Sequence, residues 1–165
     1  MGNRATVIFQ AEGKISPAVY LHWNGGPESV YQFVDELDRR QVRADADYEA
    51  ARFVQLVGEF FDQDGTSGLS LGLAQGPSSI SPEALAMVET DHGDNGFYVV
   101  DRSGQSLRMR RFIEDWDSRA HRGTVKELDG AAVEAERKEA RSHPYATKDG
   151  GFATFYKRIH PNVHA

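Results

Sequence analysis

Residues 18–37 read AVYLHWNGGPESVYQFVDEL, and this stretch decides how the rest of the chain is read. From Val19 to Trp23 the side chains alternate. Val19, Leu21 and Trp23 fall on one face of a strand, Tyr20 and His22 on the other. Asn24-Gly25-Gly26 then breaks the strand, because glycine adopts backbone angles other residues resist. Pro27 suits the first helical position, where its missing N–H costs nothing. Glu28 in the first turn suits the helix dipole. Val30, Phe33, Val34 and Leu37 recur at helical spacing and form one apolar stripe, and Arg39 and Arg40 close the helix.

A glycine turn feeding a helix N-terminus gathers backbone N–H groups and can hold an anion. One reading therefore binds a phosphate or carboxylate at Gly25-Gly26 beside His22 and Asn24. The other is a tight strand-to-helix connection. The stretch matches neither G-x-G-x-x-G nor the P-loop pattern, and no P-loop lysine follows the glycines.

Working outward, Ala5 to Phe9 is apolar and β-branched, as in a buried strand. With the strand at Val19 it predicts an antiparallel hairpin. Asp45 is an N-cap candidate for a second helix reaching Phe61, with Ala50, Phe53, Val54, Val57, Phe60 and Phe61 as its apolar stripe and Glu49, Arg52 and Glu59 on its polar face. Asp62-Gln63-Asp64-Gly65 ends it and lacks the remaining ligands of a calcium loop. Leu69, Leu71 and Leu73 alternate as a third strand. Ser81-Pro82-Glu83 starts a short helix with Leu85 and Val88 inward. Residues 97–100 and 107–110 predict a hairpin, with Arg108, Arg110 and Arg111 as a basic stripe that reads first as a solvated strand face and second as an anion or nucleic-acid contact. Residues 131–141 predict a charged helix with a narrow apolar face, and residues 150–156 an aromatic tail packing back.

At 165 residues the chain is long enough for one domain with a sizeable core. No apolar run approaches the roughly 20 residues of a membrane span, and MGNRATVIF lacks a signal-peptide h-region. The absence of cysteine excludes disulfides, thiol catalysis and cysteine metal sites, and fits the cytoplasm. Charge is uneven. Residues 1–100 hold six Lys/Arg against fifteen Asp/Glu, a net of −9, and residues 101–165 hold thirteen against ten, a net of +3. An acidic body argues against general nucleic-acid binding and permits docking on a basic partner surface.

Three polar groups stand at strand ends or adjoining loops: Asn3/Arg4, His22/Trp23/Asn24/Gly25, and Asp91/His92/Asp94/Asn95. Together they are the candidate ligand site, as binding residues often occupy such loops. Two histidines with carboxylates could bind a metal or exchange protons, but their separation gives no recognisable ligand spacing, so no metal, cofactor or catalytic residue is expected. No G-x-S-x-G, H-E-x-x-H or zinc-deaminase signature is present.

Met1-Gly2-Asn3-Arg4-Ala5, Val19 to Gly26 followed by Ser29-Val30, the run from Ala51 to Phe61, and Asp94 to Tyr98 together resemble a group of small proteins of bacteriophages, prophages and plasmids. The resemblance covers residues 1–100. It implies an accessory protein of a mobile element, a kind that often blocks host defences.

The expectation is one α+β domain: a mainly antiparallel sheet of about five strands with two long amphipathic helices packed on one face. Residues 1–115 would form the compact core and residues 116–165 a charged extension with a peripheral helix. The leading functional expectation is a non-enzymatic inhibitor of the anti-CRISPR or anti-restriction type. Its partner would be a host protein or ribonucleoprotein with a basic surface, met by Asp35, Glu36, Asp38, Asp45, Asp47 and Glu49. The alternative is a nucleotide or small-anion binding protein, signal-sequestering or enzymatic, using the loops around His22 and His92, with Trp23 or Tyr98 stacking a ring.

Overall fold

In the computed structural model, residues 3–61, 71–92, 94–104, 106–117, 119–120 and 122–142 are described. Leu69, the turn at 62–65 and the tail at 150–156 lie outside them. The elements run β1 (Ala5–Ala11), β2 (Lys14–Ile15), β3 (Ala18–Leu21), α1 (Pro27–Arg39), α2 (Ala46–Phe61), β4 (Leu71–Ala74), α3 (Pro82–Leu85), β5 (Phe97–Asp101), β6 (Arg108–Asp117), β7 (Arg122–Glu127) and α4 (Gly130–Ser142). The fold is α+β, with one seven-stranded sheet ordered β4-β3-β1-β5-β6-β7 and β2 paired to β1.

The sheet is larger than expected and mixed. The β1–β3 hairpin and the β5–β6 hairpin are antiparallel as their sequences suggest, but they join through parallel pairing of β1 with β5, Thr6 opposite Phe97 and Gln10 opposite Asp101. This places β1 in the centre, buried on both faces, which explains its unbroken apolar run. Val7 and Phe9 point into the layer formed by α1, α2 and α4. Ile8 points to the other face, under Leu85 and Val88.

The return strand carries one extra residue. Ala5 to Val7 pair with Leu21 to Val19, whereas Gln10 and Ala11 pair with Ile15 and Lys14, a register shift of one. Pro17 has no N–H to give the ladder. Ser16 repairs the gap: its N–H donates to Phe9 O at 2.9 Å, and its buried Oγ accepts from Phe9 N at 2.9 Å. This is a β-bulge stabilised by a hydroxyl.

Helix α1 begins as the sequence indicates, with Gly26 as N-cap and Pro27 in the first turn. It buries Val30, Tyr31, Phe33, Val34 and Leu37. Asp45 caps α2, its Oδ1 accepting from Tyr48 N at 3.0 Å. Phe53 is fully buried between the two helices and the sheet, with ring centroids 5.5 Å from Phe9 and 5.9 Å from Phe33. Trp23 departs from expectation. It lies beyond the end of β3 and is 43% exposed rather than inward with Leu21.

The position between residues 115 and 116 falls inside β6, and β7 extends the same sheet. Helix α4 packs along α1 with the narrow apolar face its sequence predicts, Val133 and Ala140. Two ion pairs reinforce that contact, Arg137 and Arg141 with Asp35 at 2.7 and 3.2 Å. No helix among the described residues is long and apolar enough to cross a membrane.

Replacing Phe53 by Ala removes a side chain that the core cannot readily collapse around. It should lower the unfolding free energy by about 3–5 kcal/mol, seen as a lower urea midpoint with an unchanged slope.

Candidate functional site

Because β1 runs parallel to β5 and antiparallel to β3, the start of β1, the end of β3 and the start of β5 share one end of the sheet. The three polar groups therefore do converge. Asn3 N donates to His22 O at 3.0 Å and Gly25 N donates to Asn3 O at 2.8 Å. Asn95 Nδ2 donates to Asn3 Oδ1 and, at 3.1 Å, to Arg4 O. Arg4 N donates to Asp94 Oδ2 at 3.0 Å, and the Arg4 guanidinium pairs with Asp91. Tyr98, fully buried, donates its hydroxyl to Gly25 O at 2.9 Å.

These contacts turn the cluster inward. Its polar groups bond largely to one another and lock three chain segments together, although Asp91 and Asp94 remain exposed. Asn24 takes a left-handed backbone at φ 56, which asparagine tolerates, and so turns β3 into α1. Gly25 is required by close approach: a Cβ there would lie 2.6 Å from Asn3 O and 2.7 Å from Ala5 N. The two histidines keep separate company. His22 Nδ1 lies 3.0 Å from the Tyr20 hydroxyl and its ring meets Trp23 edge-on. His92 Nδ1 lies 2.9 Å from Thr90 O, its Nε2 lies 3.5 Å from Glu114, and its ring packs on Phe97.

The geometry opposes an anion at Gly25-Gly26. A Cβ on Gly26 would collide with the Glu28 carboxylate, which bends back over the helix start, where a negative charge is favoured. Tyr98, buried under α1, presents no face to a stacked ring. Among the described residues no group of three or more His, Asp or Glu is placed to hold a metal.

The acidic helix residues need correction as a docking face. Asp35 is engaged by Arg137 and Arg141. Glu36 is buried at 5% exposure and bonded to Arg39 and Arg40. Burial raises its pKa, but those cations outweigh it and hold the carboxyl below its ordinary range. Asp38 pairs with Arg102 at 3.0 Å, and Asp45 caps α2. Only Asp47 lies exposed without such a role. Glu49, expected on the polar face of α2, is completely buried against Arg102. Neither of its oxygens accepts a well-aligned hydrogen bond. Burial pushes its carboxyl up from 4.5 to about 7, Arg102 pulling the other way without prevailing.

The basic stripe also divides. Arg110 pairs with Glu127 on one face of β6. Arg111, on the other, is 3% exposed. Its guanidinium sits 3.8 Å over the Tyr98 ring, donates to Asn95 O and Phe97 O at 2.7 and 2.8 Å, and pairs with Glu136 of α4 at 2.9 Å.

What sequence reasoning missed is an open groove of about 570 Å³ between the end of β4 and the segment Ala84–Glu89. Two strongly exposed apolar residues border it: Met87 at 80%, on the α3 side, and Leu73 at 67%, whose side chain shares the face of its partner Val19 toward α1 and α2. A signal existed: with Leu85 and Val88 inward, helical spacing turns Met87 out. No family model, curated protein or solved structure matches the chain.

Two results should follow. Asn95→Ala loses the bonds to Asn3 and Arg4 and should cost about 1–3 kcal/mol, whereas His22→Ala, at the half-exposed rim, should shift the urea midpoint little. For Glu49 the folded protein holds its proton more tightly than the unfolded chain, so its contribution to stability is lost as pH rises through about 4.5 to 7. Glu49→Gln should remove that loss and melt above the wild type at about pH 8, with little difference near pH 4.

Proposed function

We propose that the protein is a non-catalytic accessory protein of a bacteriophage or plasmid, acting in the cytoplasm by binding and occluding a component of a host defence system, of the anti-CRISPR or anti-restriction type. The observation that carries this reading is the contrast between its two candidate surfaces. The histidine-bearing cluster at the strand ends spends its polar groups on internal contacts. Large apolar side chains stand exposed instead beside β4, at Leu73 and Met87. A contiguous exposed apolar patch marks an interaction surface, and Leu73 and Met87 both border the groove beside β4. The net charge of −6 suits a basic protein or ribonucleoprotein surface and speeds encounter with it. The resemblance of residues 1–100 to proteins of mobile elements supplies the biological setting.

The test is expression in bacterial strains that each carry one defined restriction or CRISPR system. A phage targeted by that system should plate more efficiently in at least one strain when the protein is present, and no strain should gain when the defence genes are deleted. Equal plating across a broad panel would remove the counter-defence reading.

A further inference from the structure

We propose that the groove beside β4 takes an extended, cationic segment of a partner protein, added as a strand to the outer edge of β4. This rests on the binding-protein reading above and specifies where and what it binds.

The first argument is the strand itself. β4 ends the sheet, and among the described residues no strand pairs with its outer edge. Proteins blunt such edges with charged side chains, prolines or bulges. β4, four residues long, reads LGLA and carries no charge, proline or bulge, and no charged residue occurs from Leu71 to Pro82. The opposite edge, β7, reads RGTVKE and is defended by charge in the ordinary way.

Shape supplies the second argument. A segment paired to β4 would send alternate side chains toward the groove. There Met87 forms the apolar rim, Gly76, Ala84 and Val88 line the wall, and Glu89 is the one charged lining residue; the intervening side chains would lie on the other face, beside the exposed Leu73. The volume of about 570 Å³ accommodates a few side chains.

Charge decides the occupant. No Lys or Arg occurs between Arg52 and Arg102, while Glu83, Glu89, Asp91 and Asp94 all follow β4 within that interval. Asp91 and Asp94 are balanced by Arg4. Glu83 and Glu89 are exposed on either side of Met87. A second copy of this chain would bring the same negative field to the edge. A segment alternating apolar residues with Lys or Arg fits both the rim and the field.

The experiment screens a displayed library of random linear octapeptides against the full-length protein, with Leu73→Lys, Met87→Lys and Glu89→Lys proteins as parallel targets. These positions are exposed, so the variants should keep the wild-type melting temperature. Enriched peptides should alternate apolar residues with Lys or Arg, bind each variant about tenfold more weakly, and weaken with salt. Residue-resolved amide exchange should show the outward amides of β4 open in the free protein and protected by an enriched peptide. Enrichment of acidic peptides, or of none sensitive to the variants, overturns the proposal. So does protection of those amides in the free monomer, meaning the chain covers its own edge. Protection that grows with protein concentration alongside a sedimenting dimer overturns it in favour of a second copy. If plating rises while the groove variants behave as wild type, this inference falls and the counter-defence reading stands.

Discussion

A guanidinium buried as deeply as Arg111 must be paired, because an isolated charge in the interior is prohibitively costly. Much of the molecule is arranged to pair it. Two carbonyls from the entry to β5 take one nitrogen, the Tyr98 ring covers the flat face, and Glu136 of α4 supplies the countercharge. The same Glu136 accepts the Tyr31 hydroxyl at 2.7 Å, so one carboxylate ties α4 to both the sheet and α1. Burial and that carboxylate raise the Tyr31 pKa, and burial raises that of Tyr98; both hydroxyls therefore stay protonated and donate. The polar cluster at the strand ends is anchored through the same atoms, since Arg111 holds Asn95 and Tyr98 holds Gly25.

Local order was well written in the residues. The bounds of α1, with Pro27 in its first turn, the caps at Asp45 and Ser81, and the hairpin partners all follow from spacing and cap chemistry. Pairing between distant strands was not. Alternation shows that β1 and β5 are strands, but nothing in their periods says they lie side by side and parallel. That pairing takes β1 from an edge hairpin to the centre of the sheet.

The misread charges share one cause. Glu36 follows Phe33 by three and Glu49 precedes Phe53 by four, so each lies on the margin of an apolar stripe. Residue type marked them as solvated, while position marked them as buried. Arg110 and Arg111 are neighbours on a strand and must face opposite sides, so one of them was bound to turn inward with Met109. The candidate ligand site was legible as a convergence of strand ends. Its chemistry was not, because whether polar groups face a ligand or each other depends on distances that sequence does not encode. The groove was hidden for the opposite reason: its lining is plain, with small and apolar residues that carry no motif.

The central pairing of β1 with β5 has a consequence for how the protein is made. β1 emerges early from the ribosome, yet its second neighbour follows roughly ninety residues later, and the carboxylate that neutralises Arg111 later still. Until then the nascent chain holds a strand with one bare edge and an arginine with no countercharge. Contacts so far apart in sequence close slowly, and an unpaired apolar strand invites association with other chains. The acidic character of the first hundred residues thus acquires a role during synthesis. Like charge keeps neighbouring nascent chains apart while the sheet waits for its last strands.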